Sequence, residues 1–186
     1  MPPCYNAFAA GQTGVCEHMD AVGAVLEARR LLSGETPLKA DCGALCGAAC
    51  CRPDEEGKGG MLLFPGEEVL YSTLPPGFSI VGDDLAVPDG KLLVCQGVCS
   101  RGDRPLACRF FPLFPSVRQT RKGAVLRMEL DRRAWPVCPL MPHGLPGLSG
   151  AFMLAARQAA LVLAGVSAHR AFMLRLTQFV HRHYHL

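Results

Sequence analysis

The chain has 186 residues, 49 % hydrophobic and 19 % charged, a balance that suits one globular domain with a helical extension and excludes wholesale disorder. A formal charge of +3 is too small to point to nucleic acid as a partner. The opening Met1-Pro2-Pro3-Cys4-Tyr5-Asn6 lacks the basic region and apolar core of a secretory signal, so a cytoplasmic location is expected. A reducing compartment disfavours structural disulfides, and dense cysteines there point to metal or redox chemistry.

Residues 1–16 read as a loose, small-residue leader. From Glu17 to Leu32 the apolar positions Met19, Val22, Val25 and Leu26 recur at helical spacing, and Ser33-Gly34 supplies a stop. From Pro37 to Pro142 the chain is turn-rich. Short strands are expected at Met61–Phe64, Phe78–Val81, Leu92–Cys95 and Ala124–Leu130, with one or two helical turns at Gly66–Tyr71. This zone has no long apolar period, so a bound metal is expected to fix its loops. Ser149 can cap a buried helix reaching Leu163. Ser167 can cap a second, with Phe172, Met173, Leu176, Phe179 and Val180 on one face. The sparsely charged stretch 145–168 contains Pro146 and Arg157, which suits a buried helix better than a membrane span of about 20 apolar residues. The expected class is α+β: a small, loop-rich, metal-stabilised cysteine domain (37–142) with short strands. An N-terminal leader and helix (1–36) and a C-terminal helical hairpin packed on the domain (143–186) flank it.

The chemistry lies in the cysteines. Cys42, Cys46, Cys50 and Cys51 fall within ten residues, separated by alanine and glycine, so a tight loop can bring several thiolates to one ion. Were 42–50 helical, Cys42, Cys46 and Cys50 would share a face. Cys95 and Cys99 repeat the four-residue step, and Cys108 and Cys138 complete a second set. Eight thiols in two sets of four is the count for two tetrahedral sites or for cubane-type clusters. The vicinal pair Cys50-Cys51 would strain a single small site, which suggests that it is split between two. Soft thiolates suit zinc and iron–sulfur clusters alike, and the Cys138-Pro139 step leans toward iron.

The spaced Cys42, Cys46, Cys50-Cys51 element, followed by Cys95, Cys99, Arg104-Pro105, Cys108-Arg109-Phe110-Phe111-Pro112 and Cys138, resembles the YkgJ-like cysteine-cluster family, whose domains are described as zinc- or iron-chelating. The resemblance covers roughly residues 38–142 and implies that these eight cysteines are metal ligands. In the family's CxxCxxCC pattern the first gaps are two residues, whereas here they are three. Some members are linked to flagellin lysine methylation, but no glycine-rich cofactor loop follows a strand in this sequence.

Three functional classes remain open at this point. The first is a protein chelating iron, as a cluster or otherwise, or zinc; a zinc-stabilised interaction module with a protein partner is one form of it. The second is a metal-dependent or redox enzyme acting on an anionic or protein substrate near Arg104, Arg109 and Arg118. The third is a disulfide relay through Cys50-Cys51. Neither nucleic acid nor a membrane is expected as a partner. Between Arg101 and Arg133 basic residues outnumber acids nine to three, and Arg52, Arg104 and Arg109 could offset thiolate charge. Glu67-Glu68 and Asp83-Asp84 read as solvated pairs. His18, His143 and His169 read as surface or core residues, with His143 a substitute ligand beside Cys138. His181, His183 and His185 read as a frayed tail, Cys4 and Cys16 as unassigned thiols, and Arg101-Gly102-Asp103 as a chance adhesion tripeptide.

Overall fold

A computed structural model describes residues 19–52, 59–97 and 99–185. Cys4, Cys16 and His18 lie outside these residues. The class is α+β, with helices and short antiparallel strands.

Helix α1 (Ala21–Leu31) starts at Asp20, whose carboxylate accepts the Gly23 amide at 2.7 Å. It buries Ala24, Val25 and Ala28, while Met19 and Leu26 are exposed. The expected apolar stripe is therefore rotated: small alanines permit close approach to a neighbouring helix, and the larger Leu26 faces outward. A short helix α2 (Cys42–Cys46) follows, and then strand β1 (Gly59–Leu62) and a 3-10 turn at Glu67–Tyr71. Strands β2 (Ser79–Gly82) and β3 (Lys91–Cys95) complete a three-stranded antiparallel sheet of order β1-β3-β2. Helix α3 (Leu106–Phe110) leads into a long hairpin of β4 (Leu113–Thr120) and β5 (Gly123–Leu130).

Four expected strands are present to within two residues, but β4 was not anticipated. Its residues Leu113–Val117 are all buried, so the alternation that marks a half-buried strand is missing, and Pro115 reads as a breaker. Val117 N–H points away from β5, to Thr177 Oγ1 at 3.0 Å. Pro115, two residues earlier, therefore turns its nitrogen to the same outer side, where no ladder bond is forfeited.

Helices α4 (Gly150–Ala164) and α5 (Ser167–His183) meet at a 117° bend. The expected hairpin is thus splayed. Helix α4 packs chiefly on α1 and α5 on β4. Neither Ser149 nor Ser167 caps through its hydroxyl among the described residues; Val166 occupies the N-cap of α5. The main apolar cluster joins Ala24 and Leu32 to Phe110, Val117, Phe152, Leu163, Met173 and Val180. A conventional core thus exists, built from α1, α3, the β4–β5 hairpin and the C-terminal helices, and it draws on residues from all three sequence zones. Among the described residues no single helix is long and apolar enough to cross a membrane.

Glu67 departs from its sequence reading. It is fully buried, and its carboxylate accepts Arg29 Nη1 at 3.0 Å, the Leu106 amide at 2.6 Å and the Phe64 amide at 3.1 Å. Burial pushes its carboxyl upward while these donors oppose the shift. Glu68 pairs with Lys91 at 2.6 Å nearer the surface. The histidine tail is also more ordered than expected, because α5 extends through His183 and His181 pairs with Glu129 at 2.9 Å.

Candidate metal centre

Asp41 caps α2 by accepting the Gly43 amide at 3.0 Å, which sets Cys42 and Cys46 one turn apart on one helical face. The helix stops there. Gly47 and Ala48 both adopt left-handed backbone, with φ of 61° and 51°, and the chain reverses into a 3-10 turn at Ala49–Cys51. For Ala48 that conformation costs about 1 kcal/mol, which the surrounding turn must offset. Cys50 consequently leaves the face of Cys42 and Cys46 that a continuous helix would have given it. The Cys50 and Cys51 sulfurs lie 4.0 Å apart, and Cys50 is exposed.

Cys95 ends β3 opposite Gly59, and Cys99 follows after the turn. Cys108 sits in α3. Together with Cys50 and Cys51 these three thiols line a cavity of about 70 Å³, which holds an ion but not a drug-sized ligand. Met61, Phe78, Leu93 and Phe111 wall its apolar side, and Arg104 is also among its lining residues. A Cβ on Gly60 would stand 2.9 Å from the Leu93 carbonyl, so glycine is required for β1 to approach β3 this closely. The sequence reading missed this apolar wall and the two glycines of β1. A glycine pair opposite a cysteine-bearing strand was the available signal.

Cys138 lies outside the cavity, in the bend after Trp135. Burial raises its thiol pKa, while the Leu140 and Met141 backbone amides, donating to the sulfur, pull it down. The intervening Pro139 has no N–H to offer. Cys42 is pushed up by burial and then by Cys46, Asp41 and Cys138, against the pull of Arg104. The Cys50 thiol is pushed up by its hydrogen bond with Cys51, by burial, and by Cys51, Cys42 and Cys108. That same hydrogen bond lowers Cys51 to about 6, opposed by burial and aided by Arg104. Cys99 is raised by burial with Arg104 opposing, and Cys108 by burial and then by Cys51, Cys99 and Cys95.

The three arginines expected to balance thiolate charge divide their work. Arg104 serves Cys99 and Cys51, and its Nε is buried without a hydrogen-bond partner among the described residues. Arg109 instead donates to the carbonyls of Arg104 at 3.1 Å, Arg101 at 2.9 Å and Gly102 at 3.0 Å. Burial and the neighbouring Arg29 and Arg101 lower its pKa to about 10. Arg52 is exposed. Arg29 binds the same loop, donating to Arg104 O at 2.9 Å and Gly102 O at 2.6 Å. Arg101, first residue of the adhesion-like tripeptide, donates to the carbonyls of Leu32, Ser33 and Glu35. The guanidinium groups of Arg29 and Arg101 thus tie the 100–105 loop to α1 and the segment after it, and that of Arg109 ties the loop to α3. Arg118 pairs with Glu129 on the hairpin, so Arg104, Arg109 and Arg118 are committed to separate partners.

His143 is exposed in a 3-10 turn. His169 is buried, with Nε2 2.9 Å from the Ala21 carbonyl. As the side chains stand, no group of three or more His, Cys, Asp and Glu residues among the described residues is gathered to hold a metal ion. The donor set suits a soft metal, but closing a shell at about 2.3 Å requires the thiols to rotate inward. A larger cavity of about 380 Å³ lies away from the cysteines, between the 63–68 loop, the 87–91 turn and α5. No family model matches the chain, no curated protein matches it, and no solved structure matches its fold.

Proposed function

We propose that this chain is a metal-binding protein that holds iron or zinc through the thiolates of Cys42, Cys46, Cys50, Cys51, Cys95, Cys99, Cys108 and Cys138. The observation that carries the reading is convergence. Five of these cysteines, drawn from three separated segments, line one ion-sized cavity together with Arg104. Amide donors at Cys138 and a cation beside Cys51 and Cys99 support it further, since both stabilise thiolate over thiol. When bound, the metal would supply a cross-link between loops or, with one position open, Lewis-acid or redox chemistry. Membership of the YkgJ-like family and a reducing, cytoplasmic setting belong to the same proposal. They rest on the cysteine and Arg-Pro…Cys-Arg-Phe-Phe-Pro pattern and on thiols that stand free.

The test is elemental analysis with a visible spectrum on protein purified without oxygen. A brown protein with broad absorption identifies an iron–sulfur cluster, and a colourless protein with stoichiometric zinc identifies zinc. Protein that carries neither metal, and takes up neither on anaerobic reconstitution, sinks the reading.

A further inference from the structure

The larger cavity, of about 380 Å³, contains no cysteine in its lining and owes nothing to the metal reading. Its volume falls near the lower end of the range typical of small-molecule sites, about 300–1,000 Å³. The floor belongs to the core: Leu63, Phe64, Val87 and Phe172 line it and are each buried, with the Phe64 and Phe172 rings 4.9 Å apart. One wall is α5, which presents Ala168, Ala171, Phe172 and Arg175 at the spacing of a single helical face. Ala168 and Ala171 are exposed, and their small side chains leave open the space that a larger residue would fill.

Another wall is a closed turn. The Asp83 amide donates to the Gly90 carbonyl at 2.8 Å, the Gly90 amide to the Val87 carbonyl at 2.9 Å, and the Asp89 amide to Asp84 Oδ1 at 2.7 Å. A Cβ on Gly90 would stand 2.2 Å from the Asp83 carbonyl oxygen, so glycine is required for the turn to close. Asp89 beside it takes left-handed backbone, with φ of 57°, a conformation that Asp and Asn tolerate better than most residues. The Leu63 amide donates to the Lys91 carbonyl at 2.8 Å and joins this turn to the floor. Asp89 is thereby held at a fixed place in the lining before any ligand arrives, which lowers the ordering cost of binding.

Four charged residues line the cavity, two of each sign. Lys91 and Glu68 neutralise each other at 2.6 Å. The Asp89 carboxylate and the Arg175 guanidinium make no hydrogen bond or ion pair among the described residues. Unpaired charges are ordinary on an open surface, but these two come from separate elements and border one apolar floor. An anionic ligand would meet the Asp89 carboxylate and a cationic one the Arg175 guanidinium, so a ligand carrying both charges is the better match. We propose that this cavity binds a small zwitterion with an apolar body, an apolar amino acid or a short peptide of such residues. Its ammonium group pairs with Asp89, its carboxylate with Arg175, and its apolar body lies on Phe172 and Val87.

The full chain, isotope-labelled and kept reduced, is titrated with leucine and with leucyl-leucine while its amide NMR spectrum is followed. At least one of the two shifts the amides of 87–91 and 168–175 saturably, and the tighter binder tells free amino acid from peptide. The N-acetyl and C-amide forms of that compound each lack one charge and bind roughly tenfold more weakly. Asp89→Asn, which accepts the same backbone, and Arg175→Gln each weaken the parent compound by a similar factor. Ala171→Leu fills the cavity without touching either charge and abolishes the shifts. Circular dichroism checks each variant, and Ala168→Leu replaces Ala171→Leu should the latter fail to fold. Neither compound binding at millimolar concentration overturns the proposal. So does a one-charge form that binds as tightly as its parent, or a shift that survives filling of the cavity.

Discussion

A guanidinium beside a group of thiols favours their ionised form and so lowers the cost of stripping their protons for a metal. Arg104 occupies that position against Cys51 and Cys99, with Cys42 within reach. Arg104→Gln keeps a hydrogen-bonding side chain and removes the charge. Zinc retention is expected to fall by about 10- to 100-fold, the usual effect of losing a group that supports metal ligands. Competition against a chromophoric chelator measures this, and an unchanged affinity would assign Arg104 to packing alone. His169 makes a different residue-scale prediction. Its Nε2–H donates to the Ala21 carbonyl at 2.9 Å, leaving a neutral ring whose Nδ1 is buried without a partner among the described residues. Burial lowers its pKa, whereas the unfolded chain titrates near 6.5. Between those values the unfolded state binds more protons, so His169 makes stability fall as pH drops below about 6.5. His169→Gln preserves a donor and cannot titrate in that range. Urea unfolding between pH 7 and pH 5 should give the wild type the steeper decline, by at most about 1.4 kcal/mol per pH unit. Parallel declines would show that the ring takes up its proton alike in the folded and the unfolded chain. The cysteines and Arg104 were legible in the sequence because their chemistry is written in residue type and spacing. The burial of Glu67 was not, since Glu67 and Glu68 are neighbours of one type, and only the 3-10 turn decides which points inward.

The strand that sequence patterning missed is also the one whose edge needs outside help. Strand β4 pairs with β5 on one side only, so the outward N–H groups of its buried half need another acceptor. At Pro115 there is no such group. At Val117 the acceptor is Thr177 Oγ1 of α5, whose own hydroxyl donates to the Met173 carbonyl at 2.7 Å. Thr177→Val is nearly isosteric and leaves the Val117 amide buried and unpaired. A loss of about 1–3 kcal/mol is expected in chemical denaturation, with faster hydrogen exchange at Val117. An undiminished stability would mean that water or a side-chain shift satisfies the amide. Periodicity found α4, α5, β1, β2, β3 and β5 because each carries a local signal of two or 3.6 residues. It missed β4 because burial on both faces erases alternation, and it rotated α1 because alanine carries little weight in an apolar stripe although alanines form the contact with α4.

At the scale of the whole molecule, apolar burial and thiol chemistry are spatially separate. Among the described residues the main apolar cluster contains no cysteine, and it unites α1, α3, the hairpin, α4 and α5. Part of the cysteine-bearing zone, for which a bound metal was expected to fix the loops, therefore has fixings of another kind. The 99–108 segment is anchored from the core side: Arg29, Arg101 and Arg109 bind its carbonyls or those of the chain after α1, and Glu67 accepts the Leu106 amide. The 42–51 segment has no comparable anchorage among the described residues; its hydrogen bonds are local to Asp41, Gly43, Ala48 and Ala49. If the metal-binding proposal holds, Cys99 and Cys108 stand on anchored chain before metal arrives, and Cys42, Cys46, Cys50 and Cys51 do not. Chelation under reducing conditions should then leave far-UV helicity within about a tenth of its starting value, because the long helices belong to the core. Hydrogen exchange should accelerate sharply across 42–51 and only modestly across 99–108. Uniform acceleration across both segments would mean that the arginine anchorage contributes little without metal, and a collapse of α4 and α5 would mean that the core itself depends on the ion.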